Sequence, residues 1–199
     1  MDEETIHQNL IKRKLGGMCT ELNYSFYCLL RSLNFNVKII SGYVKRSYFD
    51  HMILLVKLDK EYLVDVGFGA YFFRTPIPLD GNPVNDISGS FRVHRTEQEH
   101  FELQKKVGSD WVRQYSFYTT AREFDEFLEA WEWFNTSPNP FSLNTICRID
   151  TPQGNISLYN DELTIIKNQH NNQKKLNTQN SDGLLKEYFG LDYIINNSK

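Results

Sequence analysis

Apolar residues recur about every 3.6 positions in two stretches of the chain, which is the spacing that predicts amphipathic helices. The first helix is predicted over residues 20–33 and the second over residues 121–135, and a shorter one over residues 182–193 is expected to dock through its leucines and aromatic residues. The predicted apolar face of the first helix consists of Leu22, Phe26, Leu29, Leu30 and Leu33.

Between these helices the pattern changes to β-branched and aromatic runs of strand length, separated by Gly, Pro, Asn and Asp. So many short strands predict antiparallel hairpins that close into a barrel or sandwich. The polar stretch 168–180 is expected to be a solvated loop or an edge hairpin. The predicted strands are 37–44, 51–58, 61–68, 91–95, 100–107, 111–119, 142–150, 156–160 and 162–168.

Charge changes this picture only by excluding partners. The chain has 22 Lys and Arg against 25 Asp and Glu, and its formal net charge is −3. Without a basic run, nucleic acid and anionic membrane surfaces are not expected partners. The first residues lack the layout of a signal peptide, and no apolar stretch approaches the ~20 residues that cross a bilayer. A cytoplasmic protein is therefore expected.

The three cysteines are an odd and sparse set, which suits a reducing compartment in which a thiol can be a reagent. Cys19 lies at the predicted start of the first helix, directly after Gly16-Gly17-Met18. Free backbone N–H groups and the helix dipole favour a thiolate there. Cys28 and Cys147 lie inside predicted elements and are interpreted as packing residues. The alternative interpretation of Cys19 is that it also serves only as a small buried packing residue and not as a nucleophile.

His51 opens one predicted strand, and Asp65 lies near the end of the next, inside an apolar run where an unpaired carboxylate is costly. A three-residue turn at residues 58–60 would place both side chains on one face, whereas a two-residue turn at Asp59-Lys60 would place them on opposite faces. The alternatives are a capped core histidine and a turn aspartate with no common role.

No other chemistry is indicated by the motifs. The remaining histidines are scattered, so no metal site is expected, and there is no phosphate-binding loop, dinucleotide fingerprint or serine nucleophile elbow. Gly67 and Gly69 are too few for a phosphate cradle, although they would let a ligand chain pass close to the backbone.

Three segments, GGMCTELN, DHMILLV and YLVDVGFG, occur in this order and strongly resemble the catalytic segments of the arylamine N-acetyltransferases. GSFRVHR, FNTSPNPF and RIDTPQG are also similar to landmarks of that family, so the resemblance covers nearly all of residues 5–192. It implies that Cys19, His51 and Asp65 are the family's catalytic triad.

The resemblance also implies an α+β fold with a cysteine-proteinase-like core, in which a truncated N-terminal helical bundle, an antiparallel β-barrel and a small α/β lid follow one another. On this basis we expect a helical segment carrying the nucleophile in residues 1–35, the β-barrel in 36–118, and a connecting helix with the lid in 119–199.

The implied reaction is ping-pong acetyl transfer from acetyl-CoA, through an acetyl-cysteine, to an arylamine, hydrazine or N-hydroxyarylamine, with no metal. The resemblance places Tyr43 and Phe68 in the acceptor site. The expected CoA contacts are Gly67, Gly69, Trp133 and Asn139.

The chain departs from the family pattern at three places. Leu15 replaces the arginine before the two glycines, the family's opening helices are absent, which implies an N-terminally shortened member, and Asn139-Pro140 stands where many relatives carry hydroxyl residues. Two other functions remain open: a cysteine-triad hydrolase or amide synthase with another acyl donor, and a catalytically inactive truncated paralogue.

Overall fold

The structure is a computed structural model that describes residues 2–47, 49–69, 73–167, 170–175 and 181–191. Its helices and antiparallel strands confirm the predicted α+β class. The chain divides into two compact units, residues 1–133 and 134–199. The expected division into three segments stays a prediction.

The first unit begins with short helices and continues as a run of strands. Its helices are α1 (Glu3–His7), a π-helical turn (Gln8–Lys12), α2 (Cys19–Ser32) and a 3-10 turn (Phe124–Phe127) that leads into α3 (Leu128–Thr136). The last three residues of α3 belong to the second unit. Its strands are β1 (Asn36–Tyr43), β2 (His51–Lys57), β3 (Glu61–Val64), β4 (Ile77–Pro78), β5 (Val84–Asp86), β6 (Gly89–Arg95), β7 (His100–Val107) and β8 (Asp110–Tyr118).

These strands form one antiparallel sheet of eight, in the order β4-β3-β2-β1-β8-β7-β6-β5. The sheet is nearly closed, because β4 returns to lie near β6. Residues of β2 are buried on both faces: Ile53 and Leu55 point into the barrel core, while Met52, Leu54 and Val56 pack in a second core against α2. This double burial explains why β2 is a continuous apolar run rather than an alternating one.

Helix α2 has the predicted position but not the predicted buried face. Phe26 and Leu30 pack against the sheet with Tyr27, as part of the second core. Leu29 and Leu33 are 51% and 58% exposed, so their assignment to the buried face was wrong. The helix is oriented by polar contacts of its first turns, which an apolar periodicity does not register.

The second predicted helix also differs at its start. Residues 124–127 form a 3-10 turn, and the α-helix begins only at Leu128. Arg122 is held in a β-bridge to Ile39, and Glu126 accepts the N–H of Glu123 at 2.7 Å, so the chain turns from the sheet into the helix within a few residues.

The second unit is a separate antiparallel sheet with short helices. It contains α4 (Pro140–Leu143), β9 (Ile146–Thr151), β10 (Gly154–Tyr159), β11 (Glu162–Lys167), β12 (His170–Lys175) and α5 (Ser181–Phe189), and its strand order is β12-β11-β10-β9. Its core is built around Leu158, Leu163 and Leu185. Strand β12 pairs with β11 and forms the edge hairpin expected within 168–180. Residues 168–169 and 176–180 lie outside the described residues, as does the end of the predicted terminal helix.

Within the described part of the chain, none of the helices combines the length and the apolar character that crossing a membrane requires.

Candidate active site

Cys19 is the first residue of the fourteen-residue helix α2. The carboxylate of Glu21 turns back and accepts the backbone N–H of Met18 at 2.6 Å, which closes the first turn. Cys19 is partly exposed. Its thiol therefore lies at a helix N-terminus, where negative charge is favoured.

His51 and Asp65 are brought together by the turn between β2 and β3. Lys57 pairs with Glu61, so the turn has three residues, Leu58 to Lys60, and the two side chains lie on the same side of the hairpin. His51 Nε2 lies 2.6 Å from Asp65 Oδ2, and the residues are only 3% and 2% exposed.

Asp65 lies just beyond the strand in which the sequence placed it, because β3 ends at Val64. The N–H of Val66 donates to the side chain of Asn23 at 2.9 Å, and the N–H of Gly67 donates to Asp65 Oδ1 at 2.8 Å. These side-chain acceptors replace the strand's hydrogen bonds, so the backbone leaves the sheet and turns towards α2.

Two further residues hold the carboxylate, and the sequence analysis did not find them. Asn23 Nδ2 donates to Asp65 Oδ1 at 3.0 Å and to the carbonyl of Met52 at 2.9 Å. Tyr115, on β8, donates its hydroxyl to Asp65 Oδ2 at 3.1 Å. Asn23 follows Cys19 by one helical turn, so its position was a usable signal, whereas nothing local marks Tyr115 among the apolar residues of its strand.

The buried pair is charged. Burial by itself would lower the pKa of His51, but the charge of Asp65 and the hydrogen bond to it raise that pKa to about 10. Burial would likewise raise the pKa of Asp65, but the imidazolium, Asn23 and the N–H of Gly67 bring it below its usual value. The pKa of Tyr115 is well above its usual value, chiefly through burial and then through the charge of Asp65, so this phenol stays a donor.

The thiol of Cys19 is linked to the same pair. Burial opposes its ionisation, but a hydrogen bond with His51, the imidazolium charge and the backbone N–H of Met52 bring the pKa of Cys19 below its ordinary value of 9.0. The arrangement is therefore suited to a thiolate–imidazolium pair in which Asp65 orients the ring.

The two residues expected in an acceptor site lie close to this group or to the loop beside it. The ring of Phe68 lies 5.1 Å from the ring of His51 and 4.8 Å from that of Tyr115, centroid to centroid. Tyr43 ends β1, and its hydroxyl donates to the carbonyl of Lys45 at 3.1 Å. Their role in binding an acceptor stays a prediction.

The two glycines expected to contact CoA differ in their surroundings. A Cβ atom at Gly67 would lie 2.6 Å from the Cα of Cys19 and 2.8 Å from Asn23 Nδ2, so this glycine lets the loop approach α2 closely. Gly69 has a φ of +67° and open space around its Cα.

The other two expected CoA contacts have partners of their own. The guanidinium of Arg46 lies 3.7 Å from the ring centroid of Trp133. In the second unit, Asn139 caps α4: its Oδ1 accepts the N–H of Phe141, and its Nδ2 donates to the carbonyls of Phe134 and Ser137. All four CoA contacts stay predictions.

Across the described ranges, no three or more His, Cys, Asp or Glu side chains are grouped so that they could hold a metal ion.

Comparison with known proteins identifies the family to which the chain belongs. A family model described as N-acetyltransferase matches residues 1–197. The chain belongs to the arylamine N-acetyltransferase family. The acetyltransferase YvcN of Bacillus subtilis (strain 168), itself uncharacterised, is 30% identical over an alignment of 183 residues, which covers 86% of this chain and 72% of YvcN. Arylamine N-acetyltransferase 1 of Oryctolagus cuniculus is 28% identical over 181 residues.

The chain covers part of the length of these family members, including 62% of the rabbit enzyme. Among solved structures, the arylamine N-acetyltransferase of Mycobacterium marinum in complex with CoA superposes with a TM-score of 0.87 at 22% identity, over 96% of this chain and 75% of that one. The cysteine-proteinase-like fold expected from the family resemblance is thereby confirmed.

Proposed function

We propose that the protein is an acetyl-CoA-dependent N-acetyltransferase that acts on arylamines, hydrazines or N-hydroxyarylamines by a ping-pong mechanism. Membership of the arylamine N-acetyltransferase family supports the reaction class. The observation on which the proposal depends is the buried contact of 2.6 Å between His51 and Asp65. The interaction of Cys19 with the same imidazole, which lowers the pKa of the thiol, supports it.

In the first half-reaction the Cys19 thiolate attacks the thioester carbon of acetyl-CoA. A sulfur–carbon bond forms at Cys19, the bond to the CoA sulfur breaks, and the leaving thiolate takes the proton of the His51 imidazolium. Asp65 keeps the ring in place as its charge changes. The products are acetyl-Cys19, neutral His51 and free CoA.

In the second half-reaction the amine nitrogen attacks the carbonyl carbon of acetyl-Cys19. The new nitrogen–carbon bond forms as the bond to the Cys19 sulfur breaks, and the amine gives one proton to His51. This step restores the thiolate–imidazolium pair and releases the amide.

The binding residues follow from the same proposal. We propose that Phe68 stacks on an aromatic acceptor, and the contact of its ring with that of His51 supports this role. The CoA complex of the Mycobacterium marinum relative supports acetyl-CoA as the donor substrate. Tyr43 for the acceptor, and Gly67, Gly69, Trp133 and Asn139 for CoA, stay predictions, as do the cytoplasmic location and the absence of nucleic-acid and membrane partners.

The test is intact mass spectrometry of the protein mixed with acetyl-CoA. One acetyl adduct is expected, located on Cys19 by peptide mapping, absent in Cys19→Ala and discharged by added aniline with formation of acetanilide. Cys28→Ala is the matched control and should keep the adduct. Amine acetylation that persists unchanged in Cys19→Ala would contradict the assignment of the nucleophile, and rapid ester turnover without an amine would favour a hydrolase.

A further inference from the structure

The connection between β1 and β2, residues 44–50, ends next to the triad at Asp50, directly before His51; Tyr48 in this connection lies outside the described residues. The carbonyl oxygen of Asp50 lies 3.9 Å from Cys19 Sγ. A backbone acceptor is thus present beside the atom that would carry the acetyl group.

The side chain of Asp50 is buried, with 4% of its surface exposed. Its Oδ2 accepts the backbone N–H of Lys45 at 3.2 Å and that of Arg46. Its Oδ1 lies 3.7 Å from Arg46 Nε and has no hydrogen-bond partner among the described residues. A buried carboxylate costs free energy unless it is paired. The two backbone N–H donors and the guanidinium of Arg46 offset this cost, so the Asp50 carboxylate holds the connection together.

The same connection is tied down at other points. The backbone N–H of Asp50 donates to the carbonyl of Ser47 at 3.2 Å. The guanidinium of Arg46, which faces the carboxylate of Asp50, also lies over the ring of Trp133. The chain that leads into the peptide plane between Asp50 and His51 is therefore held at several points, which restrict the direction of the Asp50 carbonyl.

We propose that the carbonyl oxygen of Asp50 accepts a hydrogen bond from the acceptor amine as it attacks acetyl-Cys19, and that the carboxylate of Asp50 positions this carbonyl. The inference rests on the proposed function. The carbonyl lies beside the sulfur that carries the acetyl group, so it is within reach of an amine that attacks that group.

The fate of the two amine protons explains how a hydrogen bond to the Asp50 carbonyl would promote the reaction. A primary amine has two N–H bonds: one proton passes to His51, and the other remains on the amide product. A hydrogen bond from the retained N–H to Asp50 turns the transferred N–H and the nitrogen lone pair towards His51 and the thioester carbon. Orientation of this kind accelerates the second half-reaction and leaves the first, which involves no amine, without that contribution.

The experiment measures the two half-reactions separately in the full chain. Acetylation of Cys19 is followed with 4-nitrophenyl acetate by release of nitrophenolate, and deacetylation is followed by mixing the acetylated protein with aniline. In Asp50→Ala the deacetylation rate constant should fall about tenfold relative to the acetylation rate constant, which corresponds to one lost hydrogen bond. In Asp50→Asn, whose amide oxygen keeps the acceptor for both N–H groups, the ratio should change by less than about threefold.

A second acceptor separates positioning from general disturbance of the loop. N-methylaniline has a single N–H, which must pass to His51, so it has none left for Asp50. Asp50→Ala should therefore slow aniline much more than N-methylaniline, and the ratio of their rate constants should fall about tenfold. Asp50→Ser, whose hydroxyl keeps one hydrogen bond to the loop, gives the same comparison if the alanine variant does not fold.

Asp80→Ala is the matched control. Asp80 also accepts the backbone N–H of Asn82 in a turn, and it pairs with Lys60 in the turn between β2 and β3. That turn is at the other end of β2 from His51, so both ratios should stay at the wild-type value. Equal loss of both half-reactions in Asp50→Ala, or an unchanged ratio of aniline to N-methylaniline, overturns the inference and leaves the proposed function standing. A wild-type protein that forms no acetyl-Cys19 overturns the proposed function, and the inference with it.

Discussion

At the scale of single residues, Cys19 has a pKa below its ordinary value although burial opposes the ionisation of its thiol. The lowered value depends on His51, and the charge of His51 depends in turn on Asp65. Asn23 and Tyr115 stabilise the carboxylate without contacting the sulfur in any described hydrogen bond. The nucleophile is thus made by a chain of contacts and is not a property of the cysteine alone.

The pH dependence of alkylation tests this chain of contacts. A lowered thiol pKa means that the reactive thiolate is present above that pKa and is lost as the pH falls below it. The rate of Cys19 alkylation by iodoacetamide should therefore reach half of its plateau at a pH below 9.0. In His51→Gln, which cannot carry the positive charge, the midpoint should move upwards towards the ordinary thiol value.

Cys28 provides the internal control, because burial raises its pKa and its alkylation should need a higher pH. Peptide mass mapping assigns each adduct to its cysteine. A midpoint for Cys19 that is the same in the wild type and in His51→Gln would show that the imidazolium does not set the thiol pKa.

At the scale of elements, the sequence predicted α2, α3, α5 and most of the strands, because periodicity and composition record which faces are buried. It did not predict the buried face of α2, since that helix is oriented by Asn23, a polar residue whose partners come from β2 and from the loop after β3. Tyr115 was missed for a similar reason: its hydroxyl meets a carboxylate fifty positions earlier in the chain.

The close approach of the 65–67 loop to α2 depends on Gly67. Gly67→Ala would bring a methyl group within 2.6 Å of the Cα of Cys19, so the loop must withdraw, at a cost of about 1–3 kcal/mol in the free energy of unfolding. Asp65 would move with the loop, and acetylation of Cys19 by 4-nitrophenyl acetate should slow by about tenfold or more.

Gly108→Ala is the comparison variant, because Gly108 has a φ of +60° at the β7–β8 turn and open space around it. It should lose about 1 kcal/mol of stability to backbone strain and keep the acetylation rate. Denaturant unfolding and the acetylation rate measure the two effects. Wild-type acetylation in Gly67→Ala would contradict the role given to this contact.

At the scale of the whole molecule, each compact unit has apolar cores of its own. Leu103 lies in the core of the eight-stranded sheet, and Leu163 lies in the core beneath α5. Both are fully or almost fully buried. Since the candidate triad belongs entirely to the first unit, loss of packing in the second unit should leave the chemistry of the triad in place.

Leu163→Ala should cost about 2–5 kcal/mol and loosen mainly its own sheet. Hydrogen exchange should then show faster exchange in residues 146–167, while the amides of β1, β2 and β8 keep their protection and Cys19 is still acetylated by 4-nitrophenyl acetate. Leu103→Ala is the counterpart and should speed exchange in β6, β7 and β8. Equal loss of protection in both sheets for Leu163→Ala would show that the two units unfold as one.

The turn of three residues between β2 and β3 limits which insertions and deletions this protein can tolerate in evolution. Leu58 is 54% exposed there, and substitutions at the tip leave the sheet intact. Insertion or deletion of one residue in this turn would shift the register of β2 and β3 by one position. Asp65 would then lie on the opposite face of the hairpin from His51. Codons added in pairs would spare the alignment. The residue types in this exposed turn can therefore vary, whereas its length can change only by an even number of residues. The constraint comes from the pairing of Asp65 with His51 at the other end of the strand.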